Sequence, residues 1–169
     1  MSVFKNLIGS KYNYDLYRHL IEDNIPSDLN DRVYIEPFGG SFGLFKILTK
    51  TYSPKQVIYN DIKVYDFDTI SLANITHNLD YTKIFEKYNF EDSFFYLDPP
   101  YIDKEHYYEN IFTDHDHYVL SEEIKKLKGK WLLSYQDHPI LRELYQDYCF
   151  DRYIGKSIYH QKEIIIKNY

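Results

Sequence analysis

The stretch Ser93-Phe94-Phe95-Tyr96-Leu97-Asp98-Pro99-Pro100-Tyr101 decides how this chain is read. Its first half is almost wholly apolar, as expected of a strand covered on both faces. Two prolines then stop it, each fixing φ and lacking a backbone N–H. A covered strand ending in a rigid turn belongs in an α/β layered domain, where ligands sit beyond the carboxyl ends of strands. The proline pair presents acceptors, the Asp98 carboxylate and the Pro99 carbonyl. An amino group on an aromatic ring is a poor nucleophile, because its lone pair is delocalised into the ring. Two acceptors drawing on its hydrogens pull the nitrogen toward tetrahedral geometry and free that pair. Tyr101 stands next to the turn and can stack on a base, returning about 1–3 kcal/mol of the cost of extruding it. An ordinary strand-terminating turn has the same composition, so the tetrapeptide alone leaves both readings open.

Strand and helix signals alternate on either side. Arg32–Glu36, Gln56–Asn60 and Trp131–Tyr135 read as further strands. Tyr14–Glu22 and Gly43–Thr49 read as helices. Thr113-Asp114-His115-Asp116 has the form of a capping box opening a helix that runs to Lys128, with Gly129 as its stop. The tail from Ile154 to Tyr169 reads as a hairpin ending in Glu163–Lys167.

A second signal lies between the first strand and the helix after it: Glu36-Pro37-Phe38-Gly39-Gly40-Ser41-Phe42-Gly43. Small residues let a ligand approach the backbone closely. Asp61 follows the second strand, about twenty residues beyond Gly39, the spacing at which a Rossmann-like fold holds ribose hydroxyls. A Gly-rich structural turn with a surface Asp is the plainer alternative.

The chain of 169 residues is 44% hydrophobic and 27% charged, enough to bury a core as a single domain over 1–169. Its net charge of −6 argues against tight, independent binding to nucleic acid. The 20 Tyr and 11 Phe suit a base-stacking surface, but equally the codon bias of an AT-rich genome. Cys149, the single cysteine, sits in an apolar stretch and reads as a core residue. No export signal or long apolar run is evident, so a cytoplasmic protein is expected, with no membrane contact. Asp114, His115, Asp116 and His117, with His106 nearby, could hold a metal, but their spacing also fits a solvated helix start. Lys125, Lys126, Lys128 and Lys130 read as a solvated helix face rather than a phosphate contact. Trp131 reads as packing.

Taken together, these residues resemble the Dam-type (D12 class) DNA adenine-N6 methyltransferases, particularly the phage-encoded forms. The matches run in order: Gly9-Ser10-Lys11, Glu36-Pro37-Phe38-Gly39-Gly40, Asn60-Asp61-Ile62, Asp80-Tyr81, Asp98-Pro99-Pro100-Tyr101, Leu133-Ser134-Tyr135-Gln136-Asp137 and Glu163–Tyr169. The resemblance implies a Rossmann-like methyltransferase fold with a mixed seven-stranded sheet and a C-terminal hairpin. It implies S-adenosyl-L-methionine as cofactor, with Lys11, Glu36, Pro37, Phe38, Gly39, Gly40, Ser41, Asp61, Asp80, Tyr81 and Asp98 lining its site. Asp61 would hold the ribose and Asp80 the cofactor's adenine amino group. Asp98, Pro99, Pro100 and Tyr101 would act on the target base, with Asp98 serving both pockets. The setting implied is DNA methylation, as in phage or restriction-modification systems.

The chain departs from that family in two places. Relatives carry a target-recognition domain between the Asn-Asp-Ile and Asp-Phe segments; here only the connector 62–79 lies there, room for one helix. Leu7 stands where an aromatic residue often stacks on the cofactor. DNA binding is therefore expected to be weak or assisted by a recognition subunit or a second copy, since phosphate contacts supply much of DNA affinity. Residues 101–117, with Tyr107, Tyr108, His115 and His117, are the candidate recognition surface. A methyltransferase acting on RNA and a non-catalytic cofactor-binding scaffold are the alternatives. The intact tetrapeptide speaks against a scaffold. A glutamine-directed methyltransferase would more usually show Asn-Pro-Pro-Tyr.

Overall fold

The computed structural model describes residues 21–40, 43–63, 73–103, 112–153 and 163–169, and among these seven strands form one sheet. In chain order they are β1 (Val33–Glu36), β2 (Gln56–Asn60), β3 (Ile75–His77), β4 (Ser93–Leu97), β5 (Lys130–Gln136), β6 (Cys149–Tyr153) and β7 (Glu163–Lys167). Their spatial order is β3-β2-β1-β4-β5-β7-β6. β1 to β5 run parallel, while β7 is antiparallel to both β5 and β6. The helices are α1 (Gly43–Thr51), α2 (Tyr81–Tyr88), α3 (Asp114–Ile124) and α4 (Ile140–Leu144).

The apolar run that became β4 is buried at every position. Because side chains alternate across a strand, it feeds two separate cores. Phe95 and Leu97 join Ile35, Ile58, Trp131 and Leu133 under α2, α3 and α4. Phe94 and Tyr96 join Tyr34, Val57, Tyr59, Leu132 and Ile165 under α1. Helices on both faces explain why this strand lacks the apolar–polar alternation of a half-exposed one.

Strand order reverses between β1 and β4: from β1 the chain builds outward through β2 and β3, and from β4 it builds the other way through β5. The crevice beyond the carboxyl ends at such a switch point is where open α/β sheets bind ligands. Glu36 ends β1 and Asp98 follows β4, so both stand at its mouth.

Several expectations are revised. The C-terminal hairpin exists, but its first strand is Cys149–Tyr153 rather than a segment starting at Ile154. This strand lies at the sheet edge, and Cys149 is exposed rather than packed in the core. The connector 62–79 contributes a strand, β3, to the opposite edge. The capping box at Thr113 and Asp116 forms, but α3 ends at Ile124, short of Lys128. Gly129 serves instead a close approach: a Cβ there would stand 2.4 Å from the Ser93 carbonyl oxygen. Of the expected helix over 14–22, all but its end lies outside the described residues.

Three of the lysines after α3 are paired. Lys125 meets Glu122 at 2.7 Å, Lys126 meets Glu123 at 2.6 Å and Lys130 meets Asp28 at 3.0 Å. Arg32 also binds Asp28, and that hydrogen bond, with help from Lys130, holds the Asp28 carboxyl well below the usual range. Trp131 is buried against Tyr145 and Tyr148. No helix among the described residues is long and apolar enough to cross a membrane. Nor do the described residues hold a group of three or more His, Cys, Asp or Glu suited to a metal ion.

Candidate active site

The loop after β1 is shaped by the end of β2. The Gly39 N–H donates to the Asn60 carbonyl at 2.8 Å. The Asn60 side chain, fully buried, donates to Pro37 O at 2.8 Å and Leu79 O at 2.9 Å, and accepts from Leu79 N–H at 2.9 Å. One amide thus ties the glycine loop to the segment that carries Asp80. Gly39 admits no side chain, since a Cβ would lie 2.0 Å from the Tyr59 ring. That ring cannot swing away, because its hydroxyl donates to Gly40 O at 2.8 Å and it is buried. Gly40 has φ +49°, the left-handed region open to glycine, and faces open space.

Asp61 closes the other side. Its Oδ2 accepts the Gly40 N–H and its Oδ1 accepts the Lys63 N–H, both at 2.8 Å. Burial raises its pKa, and these two donors work against that rise. Asn78 donates to the Asp61 and Ile62 carbonyls at 2.7 and 2.8 Å, fixing the same turn. Asp80 caps α2: its Oδ1 accepts the Thr82 N–H at 2.9 Å and the Thr82 hydroxyl at 2.5 Å. Phe38 packs on Tyr81 with ring centroids 5.2 Å apart, and Phe112 lies beyond at 6.3 Å from Phe38. Tyr81 belongs to the core, where burial raises its pKa.

On the other side of the switch point, Asp98 accepts the Ser134 hydroxyl at 3.0 Å. Pro99 is buried and Pro100 half-buried. Tyr101 is pinned twice: its hydroxyl donates to Glu163 Oε2 at 2.9 Å, and its ring lies on Tyr135, 5.6 Å between centroids. Tyr135 is itself held by His117 Nδ1 at 2.6 Å. His117 is therefore a buried support and His115 an exposed one, so the pair do not form one surface.

The structure brings Glu36, the Pro37–Gly40 turn, Asp61, Asp80 and Asp98 to one end of the sheet. Lys11, Ser41, Tyr107, Tyr108 and His106 lie outside the described residues. The residue reading missed Asn60, Ser134 and Glu163 as parts of the site. Each had a faint signal: a polar residue opening, ending or interrupting an apolar strand.

Glu36 is buried, 2% exposed, and accepts the Tyr34 hydroxyl. Burial pushes its pKa up to about 8, the Tyr34 bond opposes the rise, and the charge of Asp98 adds to it. The unfolded chain sheds this proton near the ordinary value of 4.5, whereas the folded chain keeps it to about 8. Stability is therefore full below the lower value and falls as pH rises between the two, at about 1.4 kcal/mol per unit. Glu36→Gln removes that dependence. Its melting temperature should match the wild type near pH 4.5 and exceed it at pH 8.5 by roughly 10–20 °C, at about 2–4 °C per kcal/mol. An offset equal at both pH values in scanning calorimetry refutes the assignment.

Comparison with known proteins places this geometry. The family model for D12 class N6 adenine-specific DNA methyltransferases matches residues 62–164. A Type II methyltransferase, M.CviBI, of Paramecium bursaria Chlorella virus NC1A is 31% identical over an alignment of 156 residues, spanning 78% of this chain and 52% of the relative. The chain thus spans about half the length of that relative. Among solved structures, a SAM-dependent methyltransferase of Leishmania major superposes with TM-score 0.64 at 8% identity, covering 92% of this chain and 72% of that one. One from Archaeoglobus fulgidus gives 0.60 at 9% identity, with 92% and 94% covered. The precorrin-6y C5,15-methyltransferase of Geobacter metallireducens gives 0.60 at 13% identity, with 96% and 90% covered. At such identities these likenesses establish the methyltransferase fold. The family match, which covers more than half of the chain and includes Asp80, Asp98 and Ser134, establishes more: this chain belongs to the D12 class N6 adenine-specific DNA methyltransferase family.

Proposed function

We propose that the chain transfers a methyl group from S-adenosylmethionine to the exocyclic N6 nitrogen of adenine in DNA. The observation that carries this reading is the placement of Asp98 at the switch-point crevice, beside the turn framed by Gly40 and Asp61.

The residues present suit the cofactor. Gly40 leaves open space where a side chain would stand, and Glu36, Asp61, Asp80 and Asp98 lie at the same end of the sheet, where a cationic ligand rich in hydroxyls would find acceptors. When bound, S-adenosylmethionine supplies an electrophilic methyl on a sulfonium, which becomes a thioether as the nitrogen–carbon bond forms. Asp61 retains lone pairs beyond the two backbone bonds it accepts, enough to take ribose hydroxyls. Asp98 and the Pro99 carbonyl accept the two hydrogens of the adenine amino group and orient its lone pair. Glu36 carries its own proton below about pH 8, so of the two carboxyls at the switch point Asp98 is the one able to take the proton the nitrogen sheds. Tyr101, fixed by Glu163 and Tyr135, offers a stationary ring to the extruded base.

DNA recognition is proposed to be weak in the chain alone and completed by a recognition subunit or a second copy, in the cytoplasm of a bacterium or phage host. The test is incubation with S-adenosylmethionine and mixed DNA and RNA, followed by mass spectrometry of the nucleosides. N6-methyldeoxyadenosine is expected; its absence with every substrate, against a working control enzyme, overturns the reading. Asp61→Ala should weaken cofactor binding by roughly 10- to 100-fold, because a charged acceptor is worth about 1.5–3 kcal/mol. Titration calorimetry giving unchanged affinity would reject that role.

A further inference from the structure

Two hydroxyls sit in the apolar core under α1: Tyr96, 3% exposed, and Ser134, fully buried. Their oxygens are 3.1 Å apart, and Ser134 Oγ is 3.0 Å from Asp98 Oδ1. Tyr96 and Asp98 flank Leu97 and point to the same face of the sheet, and Ser134 reaches them from the neighbouring strand β5.

We infer that Ser134, itself oriented by Tyr96, is the positioning residue for Asp98, holding its carboxylate at the angle that the amino group of the target base requires. This rests on the methyl-transfer reading above. Proton counting fixes the direction of the chain. A carboxylate has no proton to give, so the single proton of Ser134 goes to Asp98. Ser134 can then only accept from Tyr96, whose phenol must donate. Burial and the nearby charge of Asp98 keep that phenol protonated far above neutral pH. Among the described residues, Glu36 and Tyr34 on β1 and Glu163 on β7 are titratable groups that face this chain. Buried hydroxyls are costly unless bonded, and here each bond leads to the next and ends on the one carboxylate placed to meet substrate.

Ser134→Ala, Ser134→Thr and Tyr96→Phe separate this role from simple packing. In Ser134→Ala, kcat should fall about tenfold to a hundredfold, the scale of a misplaced reacting group, while KM for S-adenosylmethionine changes by a clearly smaller factor. Tyr96→Phe should shift kcat the same way by less, and Ser134→Thr, which keeps the hydroxyl, should recover most of the loss. A second readout needs no activity: carbon-13 NMR titration of the Asp98 carboxyl, identified by its disappearance in Asp98→Asn. Losing a donor to the charged form should raise the midpoint in Ser134→Ala by about half to one pH unit. Tyr96→Phe provides the same comparison should Ser134→Ala fail to fold. An unmoved Asp98 midpoint, or a kcat loss not recovered by Thr, overturns the inference. A wild type that methylates nothing but shows the midpoint shift refutes the proposed function and leaves the hydrogen-bonded chain standing.

Discussion

Asp98→Ala is expected to abolish methyl transfer, with kcat falling by at least about 10²–10³, while the protein stays folded. The magnitude is that of removing one preorganised group aimed at charge that develops in the transition state. Asp98 is the only acidic side chain of its turn, and Pro99 and Pro100 have no N–H to rearrange in compensation. Its side chain is half-buried, and Ser134 loses one hydrogen-bond partner. Melting should therefore shift by a few degrees at most, at about 2–4 °C per kcal/mol. Asp98→Asn sharpens the test: it retains one acceptor oxygen and loses the charge, so it should fall between wild type and Ala. The check is turnover with tritiated methyl donor on DNA. Full turnover in Asp98→Ala would remove the carboxylate from the reaction.

The parts of this protein that local pattern encodes were legible from sequence. The uninterrupted apolar run of β4 announced a strand covered on both sides, and Thr113 and Asp116 announced the start of α3. The prolines after Leu97 and the glycines after Glu36 announced where β4 and β1 stop. What stayed hidden depends on partners distant in sequence. β3 is three residues, Ile75-Thr76-His77, too short for any period to register, and it exists because it pairs with Ile58–Asn60. Cys149 looks apolar in company with Tyr148 and Phe150, but β6 is an edge strand and turns that side chain to solvent. Glu163 reads as a surface acid opening a strand; only the fold sets it 2.9 Å from the Tyr101 hydroxyl. Ser134 reads as a small break in an apolar strand until Asp98 is brought beside it.

Asn60 is the strongest case of such long-range dependence, and Asn60→Asp should be the most destabilising of the substitutions considered. The amide spends both of its hydrogens on carbonyls, those of Pro37 and Leu79, and its oxygen on the Leu79 N–H. An ionised aspartate keeps the one acceptor, loses both donors and sets a negative oxygen against two carbonyl oxygens in a site with no exposure. Each buried group left unpaired costs about 1–3 kcal/mol, and more where charge is involved. A loss of about 3–5 kcal/mol follows, or a fall in melting temperature of roughly 6–20 °C. The pH dependence gives the mechanism away. Burial beside two carbonyls favours the protonated acid, whose single O–H can restore one bond, so the folded-state pKa of the new carboxyl is raised. The variant's stability is then best at low pH and declines as pH rises through that raised value. Asn60→Ala, with no ionisable group, should show a deficit independent of pH. Because Asn60 anchors the glycine loop and the Asp80 segment together, both variants should also weaken S-adenosylmethionine binding. Thermal unfolding at pH 5 and pH 8.5 checks this directly: an Asn60→Asp protein that melts within about 2 °C of wild type at pH 8.5 would show that the amide is not the tie described.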